Sequence, residues 1–567
     1  MEHLPLVKSA RKPSLSIPFV VKSASGSPYT HGEDDFISFA ADHLSEIRFI
    51  YPNLGPQDCL LSLAQSWLFF GTLSEFFCES IHSDMFTRMD HDTGHRVICT
   101  SRVHQLRARW IASLPRRSLI SLGFRQMVVR KRGIVIARAT WAYEQLQDMV
   151  DMDDPRARLV MFSIKLMLCS LCHTARTVLS PTPTLDALLS RLSFRPVVAG
   201  DTATTDFLLW DYMVQNKWCP YQINQLLLSY SATSMVYLSS ITRKERKIGH
   251  QDCLKKGRCM ASQIDWDAFV PLHAADGCTC GYVSVDEDEI MAKLEKDEIP
   301  LLSCSRSASG DFHIKVWADG LGNPSANALT KCQLERLYNK FKSLSNKVAQ
   351  TRPFSNIIKA DPGSPVVFWM DVFCVPVKKP DSDRNSRLKD KAIALMDLTY
   401  SYARQVFVLD SEMELIPVQD SSSNGGNELH HLEASAESLS RVATCTWMGR
   451  AWTLQEGALA SELWVQYSRH QRRYKSFYSL DLEPDLTEKA PSEILALVSE
   501  LETHASLPSV GRGTQDMTDE AVYCSSAREV QFLQVWNSLI GRSTTQKDDF
   551  HVIMAKYVHE VNLKWVY

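Results

Sequence analysis

Apolar residues recur near a 3.6-residue period at Ile37, Phe39, Ala40, Leu44 and Ile47, the spacing of an amphipathic helix. Beyond them Leu61, Leu63, Trp67, Leu68, Phe69, Leu73, Phe76 and Phe77 crowd into a stretch apolar enough to lie in a core. Helical texture continues to about Leu189, broken by the Ser180-Pro181-Thr182-Pro183-Thr184 loop. Helices are also predicted at Asp286 to Leu294, Leu334 to Val348, Leu388 to Arg404 and Ala434 to Arg441. Strand patterns fall at Phe312 to Trp317, Val366 to Val375, Val406 to Asp410 and Trp464 to Tyr467. The Val366–Val375 run lies between two prolines and reads as a buried parallel strand. The strand–helix–strand order from 366 to 410 predicts that it pairs in parallel with Val406–Asp410, the helix crossing between them.

These patterns predict a mixed α/β protein. Residues 1–32, rich in Ser, Pro and Lys, read as a flexible tail. A helical region follows over 33–200, a Cys/His-rich connector over 201–302, an α/β domain over 303–470 and a C-terminal helical segment over 471–567. Asp420 to Gly426 reads as a flexible loop. The net charge of −3 over 567 residues gives no field that favours nucleic acid. The basic run Arg243-Lys244-Glu245-Arg246-Lys247 reads as a solvated face. Leu159 to Leu179 is apolar, but Lys165, His173 and Arg176 interrupt it, which predicts a buried core helix and no membrane span. Fifteen scattered cysteines, and no unbroken apolar stretch from Met1 to Pro18, predict free thiols and a cytoplasmic location.

Within the connector, His250, Cys253 and Cys259 are followed by His273, Cys278 and Cys280. Zinc takes four nitrogen and sulfur ligands in a tetrahedron, so at least four of these six are expected at one structural ion. The spacing matches no standard finger, and free cysteines with hydrogen-bonded histidines remain the alternative. Cys169-x-x-Cys172-His173 has the form of a haem-attachment string but falls inside an apolar helix, where chance explains it.

Several blocks, taken in order, carry a family resemblance. They are Trp218-Cys219-Pro220, the Cys/His block, Val316 to Pro324 and Cys332-Gln333-Leu334. After these come Phe368 to Pro376, Tyr402 to Asp410, Trp447 to Glu456, and Arg542 to Thr545 with Asp548-Asp549. Together they resemble the fungal heterokaryon-incompatibility (HET) domain. Trp447-Met448-Gly449-Arg450-Ala451-Trp452-Thr453-Leu454-Gln455-Glu456 is the most specific block. One departure stands out: Ile314-Lys315 occupies the place where the family has Ser-His. The chain also stops soon after the last block, as in a truncated or divergent member.

The resemblance implies a TIR-like, flavodoxin-like parallel sheet and a role in nonself recognition and programmed cell death. It also implies self-association and a protein partner of unknown identity. Some TIR domains hydrolyse NAD with a glutamate on a helix after a Trp-containing loop, which makes Glu456 the candidate catalytic carboxylate. A carboxylate stabilises the ribosyl cation that forms when nicotinamide leaves. Trp452 or Trp447 could stack on the pyridinium or pack a core, and Arg450 could pair with pyrophosphate or with a structural carboxylate. Asp371 has two roles open to it, capping a helix or contacting ribose. Trp317, Asp319, Gly320 and Gly322 form a turn that could cradle phosphates or serve as a plain turn. The alternative function is a non-enzymatic signalling module acting through assembly with partners.

Overall fold

The computed structural model describes residues 1–7, 16–21, 55–91, 93–114, 119–179, 207–244, 249–260, 273–275, 277–306, 312–316, 328–351, 365–377, 382–403, 405–416, 428–468, 471–473 and 491–505. The protein is mixed α/β and rich in helix.

Helix α1 (Pro56–Leu63) runs without a break into a π-helical stretch (Ala64–Gly71) and then α2 (Thr72–Phe77). Trp67, Leu68, Phe69, Leu73 and Phe76 are fully buried there, as their crowding predicts. Helices α3 (Val103–Ser113), α4 (Leu119–Met149) and α5 (Pro155–Leu179) follow. Helix α5 packs against α4 and the π-helical stretch. It is long and apolar enough to cross a bilayer, but 89% of its apolar window is buried in protein, so it is a core helix. Cys169 and Cys172 lie inside that core, where no haem could reach them.

The N-terminal segment departs from the expected flexible tail. Residues 1–7 and 16–21 are packed, with His3, Leu4, Val7 and Ile17 buried. Polar anchors explain the docking. Glu2 accepts from the backbone N–H of Thr100 at 2.8 Å. The buried amide of Gln65 accepts from Val20 N at 2.7 Å and donates to Pro18 O at 2.8 Å.

Helices α6 (Phe207–Gln215), α7 (Pro220–Ser229) and α8 (Ala232–Ser239) complete the helical half, which thus takes in the first part of the stretch 201–302 expected as connector. Helix α8 starts on Ser231, whose hydroxyl accepts from Ser234 N, and packs against α5. The connector carries α9 (Cys253–Lys256).

A hairpin of β1 (Thr87–Met89) and β2 (Arg96–Ile98) decorates the helical half. Strands β3 (Tyr282–Ser284), β4 (Leu302–Arg306), β5 (Phe312–Val316), β6 (Ala328–Thr330), β7 (Val366–Phe368), β8 (Val406–Val408), β9 (Leu463–Gln466) and β10 (Gln471–Arg473) form three further sheets. Their orders are β3-β6, β5-β4-β7 and β10-β9-β8. Both pairings in β5-β4-β7 are antiparallel.

The expected pairing of 366–375 with 406–410 is therefore wrong: β7 and β8 belong to different sheets. The parallel partner of β8 is β9, in register Val406–Leu463, Phe407–Trp464 and Val408–Val465. The Val366–Val375 run also divides. It leaves the strand after Phe368 and turns into α12 (Asp371–Cys374), because Asp371 sits exposed at the helix start instead of inside a sheet. The helix expected over Leu388–Arg404 is likewise two, α13 (Asp383–Ala394) and α14 (Met396–Tyr402).

Helix α10 (Glu287–Glu295) is capped by Asp286, which accepts from Asp288 N and Glu289 N. Helix α11 (Lys331–Thr351) begins directly after β6. Helices α15 (Glu428–Thr444) and α16 (Trp452–Leu459) lie in the crossover between β8 and β9, and α17 (Ser492–Ala505) packs against α15 and α5. One buried cluster joins the helical half to this part: it includes Leu61 and Phe162 together with Val408, Val465 and Leu497.

Arg243 is part of that junction. It lies at the edge of the basic run expected to be solvated, yet it is 8% exposed. Its guanidinium pairs with Glu412 at 2.7 Å, donates to Thr444 Oγ1 at 2.9 Å and lies 4.7 Å over the Trp218 ring.

Candidate functional sites

The crossover between β8 and β9 places the Trp447–Glu456 block just past the C-terminal end of β8, where parallel sheets build sites. Asp410, buried in that turn, accepts from the backbone N–H of Trp447 at 3.1 Å and from Glu412 N at 2.9 Å. This acid at the end of the Val406–Asp410 run fixes the start of the block. Thr453 holds the turn from the other side, donating to Arg450 O at 2.7 Å.

Glu456 projects from α16 towards α14. The Trp447 indole donates to its Oε2 at 2.8 Å, and Tyr400 also hydrogen-bonds its carboxyl. Burial raises the carboxyl above the usual range, with the nearby Asp371 acting in the same direction. The Trp447 and Tyr400 hydrogen bonds and the Arg450 charge pull it back. Tyr400 stacks edge-on against Trp369 with ring centroids 5.7 Å apart.

The block from Phe368, the end of α14 and the Trp447 block therefore meet at one place. Of the expected site residues, Glu456, Asp371 and Arg450 are brought together, and Trp452 is half-buried against the core. Asp371 and Arg450 are exposed. Trp317, Asp319, Gly320 and Gly322 lie outside the described residues, as does the block from Arg542 to Asp549. Cys374 is fully buried, and burial pushes its thiol up to about 12.

The six expected metal ligands do not converge. They divide into two groups, and each recruits a cysteine from outside the set. His250, Cys253 and Cys259 gather with Cys219, while His273, Cys278 and Cys280 gather with Cys332. In each group the four ligand atoms lie within 4.8 Å of one another, so each could hold a metal ion. Cys219 immediately precedes α7, and Cys332 is the second residue of α11. Both are too far along the chain for local spacing to flag, although each stands in a short block that carried the family resemblance. Gly257 and Gly277, at φ 61° and 74°, provide the left-handed turns that fold each cysteine-bearing loop back on itself.

A small cavity of about 90 Å³ lies beside the first group. Cys219, His250 and Cys259 form one wall, and Gly449 and Arg450 of the Trp447 block form part of another.

No family model matches the chain, and no curated protein or solved structure matches it.

Proposed function

We propose that this chain is a death-signalling protein of the heterokaryon-incompatibility kind, acting in the cytoplasm through self-association, with Glu456 as its acidic centre. The observation that supports this is convergence. Asp371, Tyr400, Arg450 and Glu456 come from three separate stretches of the sequence and act on one another at one point. Two of those stretches, and the end of the third, are blocks by which the chain resembles that family.

The chemistry proposed there is hydrolysis of NAD. The nicotinamide–ribose bond breaks, nicotinamide leaves with the bonding electrons, and water supplies a hydroxyl to ribose C1′ with release of a proton. Glu456, as carboxylate, stabilises the positive charge on the ribose. Its raised pKa suits a group that awaits a cationic partner, because a pyridinium beside it favours the ionised form. Arg450, exposed on the same turn, is the natural partner for a pyrophosphate oxygen. A TIR-like sheet belongs to this reading, with the parallel β8–β9 pair as its seed. Zinc is the metal proposed for the Cys/His groups, in a structural role.

One observation favours a second reading. The Glu456 carboxyl is already bonded by Trp447 and Tyr400, as a purely structural acid would be. In that case the block shapes an assembly surface and the protein signals without turnover. Purified protein, clustered at high concentration and incubated with NAD, separates the two. Release of nicotinamide by wild type but not by Glu456→Gln supports hydrolysis. Absence of turnover in clustered wild type, with cell killing retained by Glu456→Gln, leaves the assembly reading.

A further inference from the structure

In each of the connector's two Cys/His groups a single imidazole nitrogen faces two sulfurs. Nδ1 of His250 lies 3.5 Å from Cys253 Sγ and 3.7 Å from Cys259 Sγ. Nδ1 of His273 lies 3.4 Å from Cys280 Sγ and 3.6 Å from Cys332 Sγ. A tetrahedral zinc ion with ordinary Zn–S and Zn–N bonds sets its sulfur and nitrogen ligands about 3.6 Å apart. Both groups reproduce that edge with the same imidazole nitrogen and the same Cys₃His composition.

The surroundings of the sulfurs point the same way. Met260 N donates to Cys253 Sγ at 3.2 Å, Cys332 N to Cys280 Sγ at 3.3 Å, and Ala274 N to Cys332 Sγ at 3.1 Å. Backbone N–H groups aimed at sulfur stabilise thiolate, the form that binds metal, and orient it. Each group already holds four protein ligands. That leaves no open position for water or substrate and marks the centres as structural.

We infer that the chain binds two zinc ions in two separate Cys₃His centres, one completed by Cys219 and the other by Cys332. The first centre ties the 249–260 stretch to the helical half, because Cys219 immediately precedes α7, whose Ile223 and Leu227 are buried in the main core. The second ties the connector to the α/β part, because Cys332 starts α11. The stretch from 249 to 280 is thus fastened at both ends. The centres differ in access. Cys219 and Cys253 are buried in the first, whereas all four ligands of the second are partly exposed. The second gives up its metal first. This inference is independent of any chemistry at Glu456.

Native mass spectrometry and elemental analysis of the full chain, expressed with zinc present, test it. Two zinc ions per chain are expected. Cys219→Ser and Cys332→Ser should each retain one, and the double variant none. Cys304→Ser, which removes a buried thiol outside both groups, should retain two. A chelating indicator should draw zinc from wild type in two phases, with the fast phase missing from Cys332→Ser. Replacement by cobalt should give the intense visible bands of tetrahedral thiolate sites, halved in either single variant. If a single variant fails to fold, the wild-type count and its two release phases still decide. One zinc per chain, no zinc, or loss of both ions on removing one cysteine would overturn the inference.

Discussion

Arg243→Ala is expected to cost far more than the loss of a surface charge. The guanidinium and the Glu412 carboxylate it meets at 2.7 Å have side chains only 6% and 12% exposed. Deleting the arginine leaves a carboxylate shielded from water with its cation gone, which typically costs about 3–5 kcal/mol. Loss of the contact over Trp218 adds about 1 kcal/mol, and the Thr444 hydroxyl loses its donor. Because these terms share one group they do not add, and a total of about 4 kcal/mol is expected. Urea denaturation followed by tryptophan emission is a suitable assay, since Trp218 beneath the guanidinium is one of thirteen tryptophans whose surroundings change on unfolding. Arg243→Met with Glu412→Leu should recover most of the loss, because the stranded charge is then absent. A loss below about 1 kcal/mol in Arg243→Ala, or a double variant as weak as the single one, would refute the reasoning.

Other outcomes follow from the same structure. Glu456 has a raised pKa, so its carboxyl stays protonated in the fold at a pH where the unfolded chain ionises. Its contribution to stability therefore declines as pH rises from 4.5 towards its folded value, and Glu456→Gln should flatten that part of a stability–pH profile. If Glu456 is catalytic, NAD turnover should rise with pH over the same window and fall about 100- to 1,000-fold in Glu456→Gln. His173 is raised to about 8: burial pushes it down, but Cys169 at 3.4 Å and Glu500 at 4.0 Å outweigh burial. Its stabilising share is complete below its ordinary value of 6.5 and is lost as pH rises through about 8, so His173→Leu should remove an alkaline loss of stability. Burial holds His3 down to about 4, so protonating it should destabilise the docked N-terminal segment as pH falls below 6.5. Hydrogen exchange at residues 1–7 would report this. Phe76→Ala, at a fully buried ring, should cost about 3–5 kcal/mol in thermal or chemical unfolding.

The parts of this structure that were legible in the sequence are those where local pattern decides. The stretch from Leu61 to Phe77 is too apolar to lie anywhere but a core, and it does. The helices at Glu287–Glu295 and Lys331–Thr351 follow their periodicity and, for the first, its Asp286 cap. Strand partnership is non-local, and there the reading failed. A continuous apolar run such as Val366 to Val375 looks the same whether it stays a strand or turns into a helix at Asp371. Arg243 was hidden for the opposite reason: four charged neighbours made one buried side chain look like part of a solvated face. The metal ligands were half legible. Spacing marks the three residues of each centre that lie close together, but the fourth arrives by tertiary folding. Around Glu456, Asp371 and Arg450 stand in blocks that carry the family resemblance, whereas Tyr400 and Asp410 carry no signal beyond an aromatic in a helix and an acid after a strand.

Helix α11 has a further consequence. Cys332 stands at its start. Leu334 and Tyr338 then pack with Cys304 of β4, Phe341 lies between Phe368 of β7 and Phe407 of β8, and Leu344 meets Trp464 of β9. From Cys332 to Leu344 the helix extends about 18 Å at 1.5 Å per residue. Two three-stranded sheets with short strands thus share one backing rod. Each sheet also buries its other face elsewhere, Leu302 of β4 with Ile290 and Leu294, and Val408 and Val465 in the main cluster, so loss of the rod should strip one face from both sheets at once. A kink in α11 such as Phe341→Pro would therefore lower protection from exchange in both sheets together.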